Sequence, residues 1–168
     1  MTSKTWYHGT GEDFDAFDAE YMETGAGGAG TDAGFWFTDN EDAASLYARY
    51  ADGDRVLVAE LDLRAPHVVD VAEVVRDEIE KLREMGEEIE DADYATHYQI
   101  VFPEMHALGE LIREAVAEAR AKGADGVIFT DIVDNPCAGD EMTTLWANKP
   151  QTHALVFDPA RIRIVQGA

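Results

Sequence analysis

The sequence is poor in cysteine and in long apolar runs, and each shortage excludes a class of protein. Cys137 is the one cysteine among 168 residues, so the chain cannot form an internal disulfide. No stretch approaches the length of a membrane span, and the first residues lack the charged and then apolar pattern of a secretion signal. We therefore expect an intracellular, cytoplasmic protein that does not enter a membrane.

Positive charge is also scarce. The chain has 13 basic residues against 35 acidic ones, which gives a formal net charge of −22. Such a surface repels phosphate backbones, so a protein partner is favoured over a nucleic acid. An anionic ligand would need local donors, such as backbone N–H groups, to overcome this field.

The rest of the composition is that of a folded single domain. Apolar residues make up 46% of the chain, and the length suits one ordinary domain. Predicted strands cluster at both ends of the chain with predicted helices between them, a pattern typical of α+β proteins. The expected strands are 5–8, 35–37, 55–63, 67–71, 126–130, 143–147, 153–157 and 162–165, and the expected helices begin after Thr38 and cover 72–90 and 103–122.

Several shorter patterns indicate turns and helix ends. Residues 24–34 are rich in glycine but lack the GxGxxG and GK[ST] patterns, so we interpret them as a loop beside a cleft. Thr38 and Glu41 have the spacing of a capping box, which predicts that Thr38 caps the first helix. Phe14 and Phe17 have a spacing that fits a helical turn or a packed loop.

The stretch TWYHGT, residues 5–10, raises a question of chemistry. His8 ends a short apolar run and offers a directional hydrogen bond near neutral pH. Gly9 follows at once, and a glycine lets a ligand or another backbone come close. These residues alone leave two explanations open: a strand end with a locally satisfied imidazole, or the edge of a binding site.

Three pieces of the chain together carry a family resemblance. YHGT at 7–10, GFWFTDNEDAASLY at 34–47 and THALVFDP at 152–159 resemble the ADP-ribosyltransferases of the diphtheria-toxin and poly(ADP-ribose) polymerase type. The chain is most similar to the small form found in phage polyvalent proteins. The resemblance implies a single α+β domain over 1–168, with a split mixed β-core, surrounding helices and a helical insertion over about 72–122.

The resemblance also implies that NAD is the substrate, with a role for each matched residue. His8 would bond the ribose in the adenosine half of NAD, and Gly9 would present its backbone to the nicotinamide amide. Trp36 and Tyr47 would stack on the nicotinamide ring, which is favourable for either aromatic side chain. Ala44 stands where a serine commonly bonds the amide. The matched NAD-binding positions are His8, Gly9, Thr10, Gly34, Trp36 and Tyr47.

The largest departure from the family pattern is His153, which stands where the family has a glutamate. A carboxylate would stabilise the positive charge that develops on the ribose, whereas a neutral imidazole only accepts a hydroxyl. Losing such a contact typically costs about 3–4 kcal/mol, on the order of a hundred- to thousandfold in rate. Asp140 and Glu141 are the nearest upstream carboxylates that could substitute. Gln151 matches a glutamine that positions the target residue in some members.

The sequence therefore predicts mono-ADP-ribosyl transfer from NAD to a macromolecule, with cleavage by water as a minor reaction and no polymer formation. His8, Trp36 and His153 would carry the reaction. One alternative is a catalytically degenerate module that binds NAD, ADP-ribose or a host protein, of phage or mobile-element origin. Another is a helical hairpin over 72–122 that docks a partner.

Each motif also has a purely structural explanation. Trp36 and Tyr47 could be core aromatics, His8 a satisfied strand-end histidine, and His153 the start of an edge strand. The functional explanation requires His8, Gly9 and the two aromatics to converge on one cleft. No metal site is predicted, because the remaining histidines lack ligand spacing: His67, His97 and His106.

Overall fold

A seven-stranded mixed sheet forms the centre of the computed structural model, which describes residues 4–22, 33–103, 105–133 and 149–167. The strand order is β4-β5-β6-β2-β1-β3-β7. All paired neighbours are antiparallel except β4 and β5, which are parallel. The strands are β1 (Trp6–Thr10), β2 (Phe35–Thr38), β3 (Arg55–Leu61), β4 (His67–Asp70), β5 (Gly126–Ile132), β6 (Gln151–Val156) and β7 (Ile162–Gly167). The helices in the described part are α1 (Glu41–Tyr50), α2 (Val71–Glu84), α3 (Tyr94–Val101) and α4 (Met105–Ala121).

This architecture confirms the predicted α+β class. The side-chain alternation along β2 gives the sheet two apolar faces. Phe35 and Phe37 pack on one face with Trp6. Trp36 points to the other face, where it packs with Phe129 and the residues of the helical layer. Both faces of the central strands are therefore covered.

The helical layer lies on one face of the sheet. Apolar residues at helical spacing along α2 are fully buried, with Val75 at 2% and Ile79 at 3% exposure. They pack with Ile112 of α4 and with Val127 of β5 in one cluster. These helices occupy the segment interpreted as an insertion, and they contribute directly to the core.

Two helix boundaries differ from the prediction. The helix expected over 72–90 ends at Glu84, because Gly86 adopts a left-handed conformation with φ +92° that terminates the helix. The predicted capping box is also wrong. Thr38 is still part of β2, and the side chain of Asn40 accepts the N–H groups of Asp42 and Ala43 at 3.1 and 3.3 Å.

The sheet opens between β1 and β2. In the described residues these strands share one Cα pair, Tyr7 opposite Thr38. In contrast, β1 pairs with β3 along its whole length from Trp6 to Thr10. The two halves of the sheet therefore separate beside His8 and Gly9, as expected for a split core.

Part of the predicted organisation lies outside the described residues. The expected strand over 143–147, most of the glycine-rich segment, Cys137, Asp140 and Glu141 are in this part of the chain. Within the described ranges, none of the helices has the length and apolar character needed to cross a membrane.

Candidate active site

Three of the predicted site side chains meet in one ring cluster, formed by Trp36 of β2, Tyr47 of α1 and His153 of β6. The centroid of the His153 ring lies 6.3 Å from that of Trp36, with the planes inclined at 70°. It lies 6.5 Å from that of Tyr47, with the planes inclined at 74°. Trp36 also stacks on Phe129 at 5.6 Å and 26°. The two aromatics predicted to hold a nicotinamide therefore share the histidine as a neighbour.

His153 lies on a central strand. Its partners across the sheet are Thr38 of β2 and Phe129 of β5. Its exposure is 5%. The edge-strand explanation of His153 is therefore wrong, because β6 is paired on both sides.

A buried hydrogen bond joins the ends of β2 and β6 beside the ring cluster. The Thr38 hydroxyl donates to Gln151 Oε1 at 3.1 Å and accepts the Asn40 N–H at 3.2 Å. Gln151 is 6% exposed, and it lies on the same face of β6 as His153, two residues along. The geometry orients Gln151 towards Thr38, and its role in positioning a target stays a prediction.

The imidazole of His8 bridges the opening between β1 and β2. His8 Nδ1 lies 2.7 Å from the main-chain oxygen of Trp36. A carbonyl oxygen only accepts, so Nδ1–H donates, and the neutral ring keeps an acceptor lone pair at Nε2. Burial lowers the pKa of His8, and the hydrogen bond to Trp36 opposes this only in part. The neutral imidazole is therefore the favoured form.

His8 does not join the ring cluster through its own ring. Its aromatic neighbours are Phe14, Phe17 and Phe37, with centroids at 6.4, 5.1 and 5.4 Å. Its connection to Trp36 is the main-chain hydrogen bond. The structure thus brings His8 next to β2, but its ring lies on the Phe37 face of the sheet, whereas Trp36 and His153 lie on the other face. In the described residues, the imidazole of His8 therefore does not converge with the two aromatic rings on one cleft, and its role in NAD binding stays a prediction.

The need for glycine at position 9 comes from another backbone. A Cβ at Gly9 would lie 1.9 Å from Ala44 O and 2.6 Å from Ala48 N, both in α1. A side chain would therefore collide with the helix, so the close approach of α1 accounts for this glycine, and presentation of its backbone to nicotinamide stays a prediction. The contact fixes α1 against β1, one turn from Tyr47.

Thr10 and Gly34 have structural contacts of a similar kind. The Thr10 hydroxyl accepts the Glu12 N–H at 3.0 Å and so closes the turn after β1. A Cβ at Gly34 would lie 2.2 Å from Val156 O of β6. These contacts account for the residue types, and NAD-binding roles for both positions stay predictions.

Sequence reasoning missed Asp39, a carboxylate at the end of β2. Its Oδ1 accepts the Thr152 N–H at 2.9 Å, and its Oδ2 lies 3.1 Å from Lys4 Nζ. Burial opposes ionisation of Asp39, but the Thr152 N–H and the Lys4 ammonium together hold the pKa of that carboxyl below its ordinary value. An ionised carboxylate therefore lies next to the strand that carries His153. Among the residues that the structure describes, no group of three or more His, Cys, Asp or Glu side chains could hold a metal ion.

Comparison with known proteins identifies the family. Neither curated protein sequences nor solved structures give a match to the chain. A family model described as "ADP-Ribosyltransferase in polyvalent proteins" matches residues 2–168. Enzymes of this kind transfer ADP-ribose with NAD as the donor substrate, which agrees with the resemblance found in the motifs. The chain therefore belongs to the ADP-ribosyltransferases of polyvalent proteins.

Proposed function

We propose that this chain is an NAD-dependent mono-ADP-ribosyltransferase whose nicotinamide site is formed by Trp36, Tyr47 and His153. Family membership supports ADP-ribosyl transfer in general. The observation that supports this site is the edge-to-face contact of one histidine with both aromatic rings. Flat aromatic walls suit a pyridine ring, since each stacked pair contributes about 0.5–1.5 kcal/mol beyond the area it buries.

The proposed reaction exchanges one bond at C1′ of the nicotinamide ribose. The bond from C1′ to the nicotinamide nitrogen breaks, and its electron pair leaves with the nicotinamide, which becomes neutral. Positive charge then spreads over the ribose in an oxocarbenium-like transition state. The nucleophilic atom of the acceptor bonds to C1′ and gives its proton to water or another base. With water as the acceptor, the same steps give free ADP-ribose.

In this proposal, His8 and His153 bind the two different riboses of NAD. The neutral ring of His8 has its Nδ1–H engaged by Trp36 O, so Nε2 is the atom that accepts a hydroxyl from the adenosine-side ribose. His153 accepts the 2′-hydroxyl of the nicotinamide ribose. A neutral imidazole supplies no negative charge there, so we expect turnover roughly a hundred- to thousandfold below that of a carboxylate-bearing site.

Charge favours a protein acceptor. The net charge of −22 repels nucleic acid, whereas a basic protein surface would be attracted. Transfer of a single ADP-ribose follows from the absence of the glutamate associated with chain elongation in the family. Incubation of the purified chain with labelled NAD and a cell lysate tests this: label is expected on protein, and label confined to RNA would contradict it.

The experiment that tests the catalytic proposal measures nicotinamide release from NAD. The substitution His153→Glu is expected to raise the rate by about a hundredfold, because it restores negative charge beside the ribose. His97→Glu, which adds the same charge on α3, is the matched control and is expected to leave the rate unchanged. Circular dichroism and thermal melting establish that each variant is folded.

A non-catalytic module is the second candidate, and the imidazole at position 153 is the observation that favours it. Such a module would bind NAD or ADP-ribose without breaking the ribose bond. If the wild-type chain and a folded His153→Glu variant both bind NAD but release no nicotinamide, the enzyme proposal fails. The binding function then stands.

A further inference from the structure

An arginine lies on the same face of the sheet as His8. Arg55 begins β3 directly opposite Thr10 of β1, and His8 lies two residues back on the same side of β1. The Arg55 side chain is only 24% exposed. Arg55 is one of 13 basic residues in a chain with 35 acidic ones.

The partner of Arg55 is a surface carboxylate. Arg55 Nη1 forms an ion pair with Asp13, whose side chain is 92% exposed. Exposed carboxylates contribute little to such pairs, because water and salt screen them. The guanidinium therefore lies partly buried at the sheet, and its ion pair with an exposed carboxylate is expected to be weak.

Asp13 belongs to the segment that covers His8. Phe14 and Phe17 follow it and contact the imidazole ring edge to face, with centroids at 6.4 and 5.1 Å. The ion pair and the ring contacts thus hold the same short stretch of chain against β1 and β3. His8 is still partly exposed, so this stretch narrows the approach to the imidazole without closing it.

We propose that Arg55 binds the diphosphate of NAD, and that Asp13 is an internal anion which occupies the guanidinium until the dinucleotide displaces it. This inference rests on the proposed function, in which His8 holds the adenosine-side ribose next to the diphosphate. A guanidinium offers paired N–H donors that match phosphate and carboxylate oxygens alike, so the two anions compete for one site. In a chain of charge −22, a local cation is what lets a dianionic linkage approach.

In this proposal, displacement of Asp13 couples diphosphate binding to a wider approach to His8. Once the diphosphate occupies Arg55, the segment loses its ionic contact with the sheet. Phe14 and Phe17 then separate from the imidazole more easily, and Nε2 becomes more accessible to the ribose. Arg55 thus selects dinucleotides and nucleoside diphosphates over neutral nucleosides.

Calorimetric titration of ADP and adenosine tests this proposal. Arg55→Gln is expected to weaken ADP binding about tenfold or more and to leave adenosine binding unchanged, because one charge-assisted contact is lost. Asp13→Asn is expected to tighten ADP binding several-fold in the wild-type background and to have no effect when Arg55→Gln is also present. Asp15→Asn, an exposed aspartate on the same segment, removes the same charge and is expected to change nothing.

The outcomes separate this inference from the proposed function. If wild type and a folded Arg55→Gln variant bind ADP equally while NAD is still bound and cleaved, only the Arg55 assignment is wrong. If Asp13→Asn and Asp15→Asn tighten ADP binding equally, the lower net negative charge explains the effect, and the role of Asp13 is overturned. If wild type binds neither ADP nor NAD, both proposals fail. Should Arg55→Gln not fold, Arg55→Lys replaces it, since lysine keeps the charge but loses the paired donors and is expected to weaken ADP binding measurably.

Discussion

His8 illustrates how one residue is constrained from several sides. Its Nδ1–H bonds the Trp36 carbonyl across the opening of the sheet, and three phenylalanine rings surround it. Burial lowers its pKa below the ordinary value of 6.5. These contacts satisfy the ring locally and leave Nε2 as its acceptor atom, so the structural explanation accounts for His8 and its NAD-binding role stays a proposal.

This environment predicts a pH dependence of stability. As the pH falls below 6.5, the unfolded chain binds a proton at His8 before the folded chain does. The stability contributed by the neutral ring is therefore complete above that pH and is lost as the pH falls towards the lowered folded-state pKa. Urea unfolding at about pH 7.5 and about pH 5 is expected to show a larger loss of stability for wild type than for His8→Asn. Equal losses would contradict the assignment.

The sequence around Gly9 and Asp39 does not reveal which groups these two residues contact. The glycine indicates close approach, but the sequence does not say whether a ligand or a backbone comes close, and α1 is what fills the space. Asp39 stands within a matched motif, yet its ion pair with Lys4 joins residues 35 positions apart. Such partners depend on tertiary structure, which residue spacing does not encode.

At the scale of elements, the helical layer is part of the core. Val75 and Ile79 of α2 are almost fully buried against the sheet cluster. A role for residues 72–122 as a partner-docking hairpin would therefore have to use their outer surface. Deleting the segment would remove one face of the core, so it cannot separate partner docking from NAD binding.

Shortening a buried side chain of α2 tests whether the helical layer is part of the core. Ile79→Ala is expected to lower the free energy of unfolding by about 2–5 kcal/mol, because it leaves a cavity under the helix. Val68→Ala on β4, where the side chain is 57% exposed, is the control and is expected to change stability by about 0.5 kcal/mol or less. A small effect at Ile79 in urea unfolding would mean that α2 is only loosely attached to the sheet.

The periodicity of apolar residues predicted most strands and helices. It did not predict α3 or the end of α2. Short apolar runs located the strands, and helical spacing located the amphipathic faces of α2 and α4, because each of these two helices buries one continuous face. The eight residues of α3 bury only Ala95 and Tyr98, which is too weak a pattern to predict a helix. The end of α2 depends on the left-handed Gly86, a backbone state that the apolar spacing through Ile89 concealed.

The candidate site was predicted in its sequence positions but not in its contacts. The order and spacing of the motifs gave Trp36, Tyr47 and His153, and these three side chains do meet. Phe129 and Thr38 were missed as neighbours of His153, because the register between strands brings them there. The phenylalanine rings around His8 were missed for the same reason, since the packing of a loop on a sheet leaves no periodic signal.

At the scale of the whole molecule, negative charge dominates. With 35 acidic and 13 basic residues, the folded chain carries strong self-repulsion. The surface ion pairs in the described part, such as Lys81 with Glu78, involve exposed side chains and contribute little each. The net effect of charge is therefore to lower the stability of the folded chain.

Salt is accordingly expected to stabilise the fold. Raising the ionic strength from about 0.01 M to about 1 M shortens the screening length from roughly 30 Å to 3 Å, which suppresses repulsion between distant carboxylates. The melting temperature should rise over this range when sodium chloride is added. A fall in melting temperature would mean that specific ion pairs outweigh the general repulsion.

The central claim is that Trp36 and Tyr47, with His153 at their edges, form the wall of a nicotinamide site in this family member. A crystal structure of the chain with NAD or nicotinamide tests it most directly. We predict that the pyridine ring lies between the indole and the phenol, in contact with the imidazole of His153. A pyridine ring bound elsewhere on the chain, with these three side chains still packed together, would contradict the account.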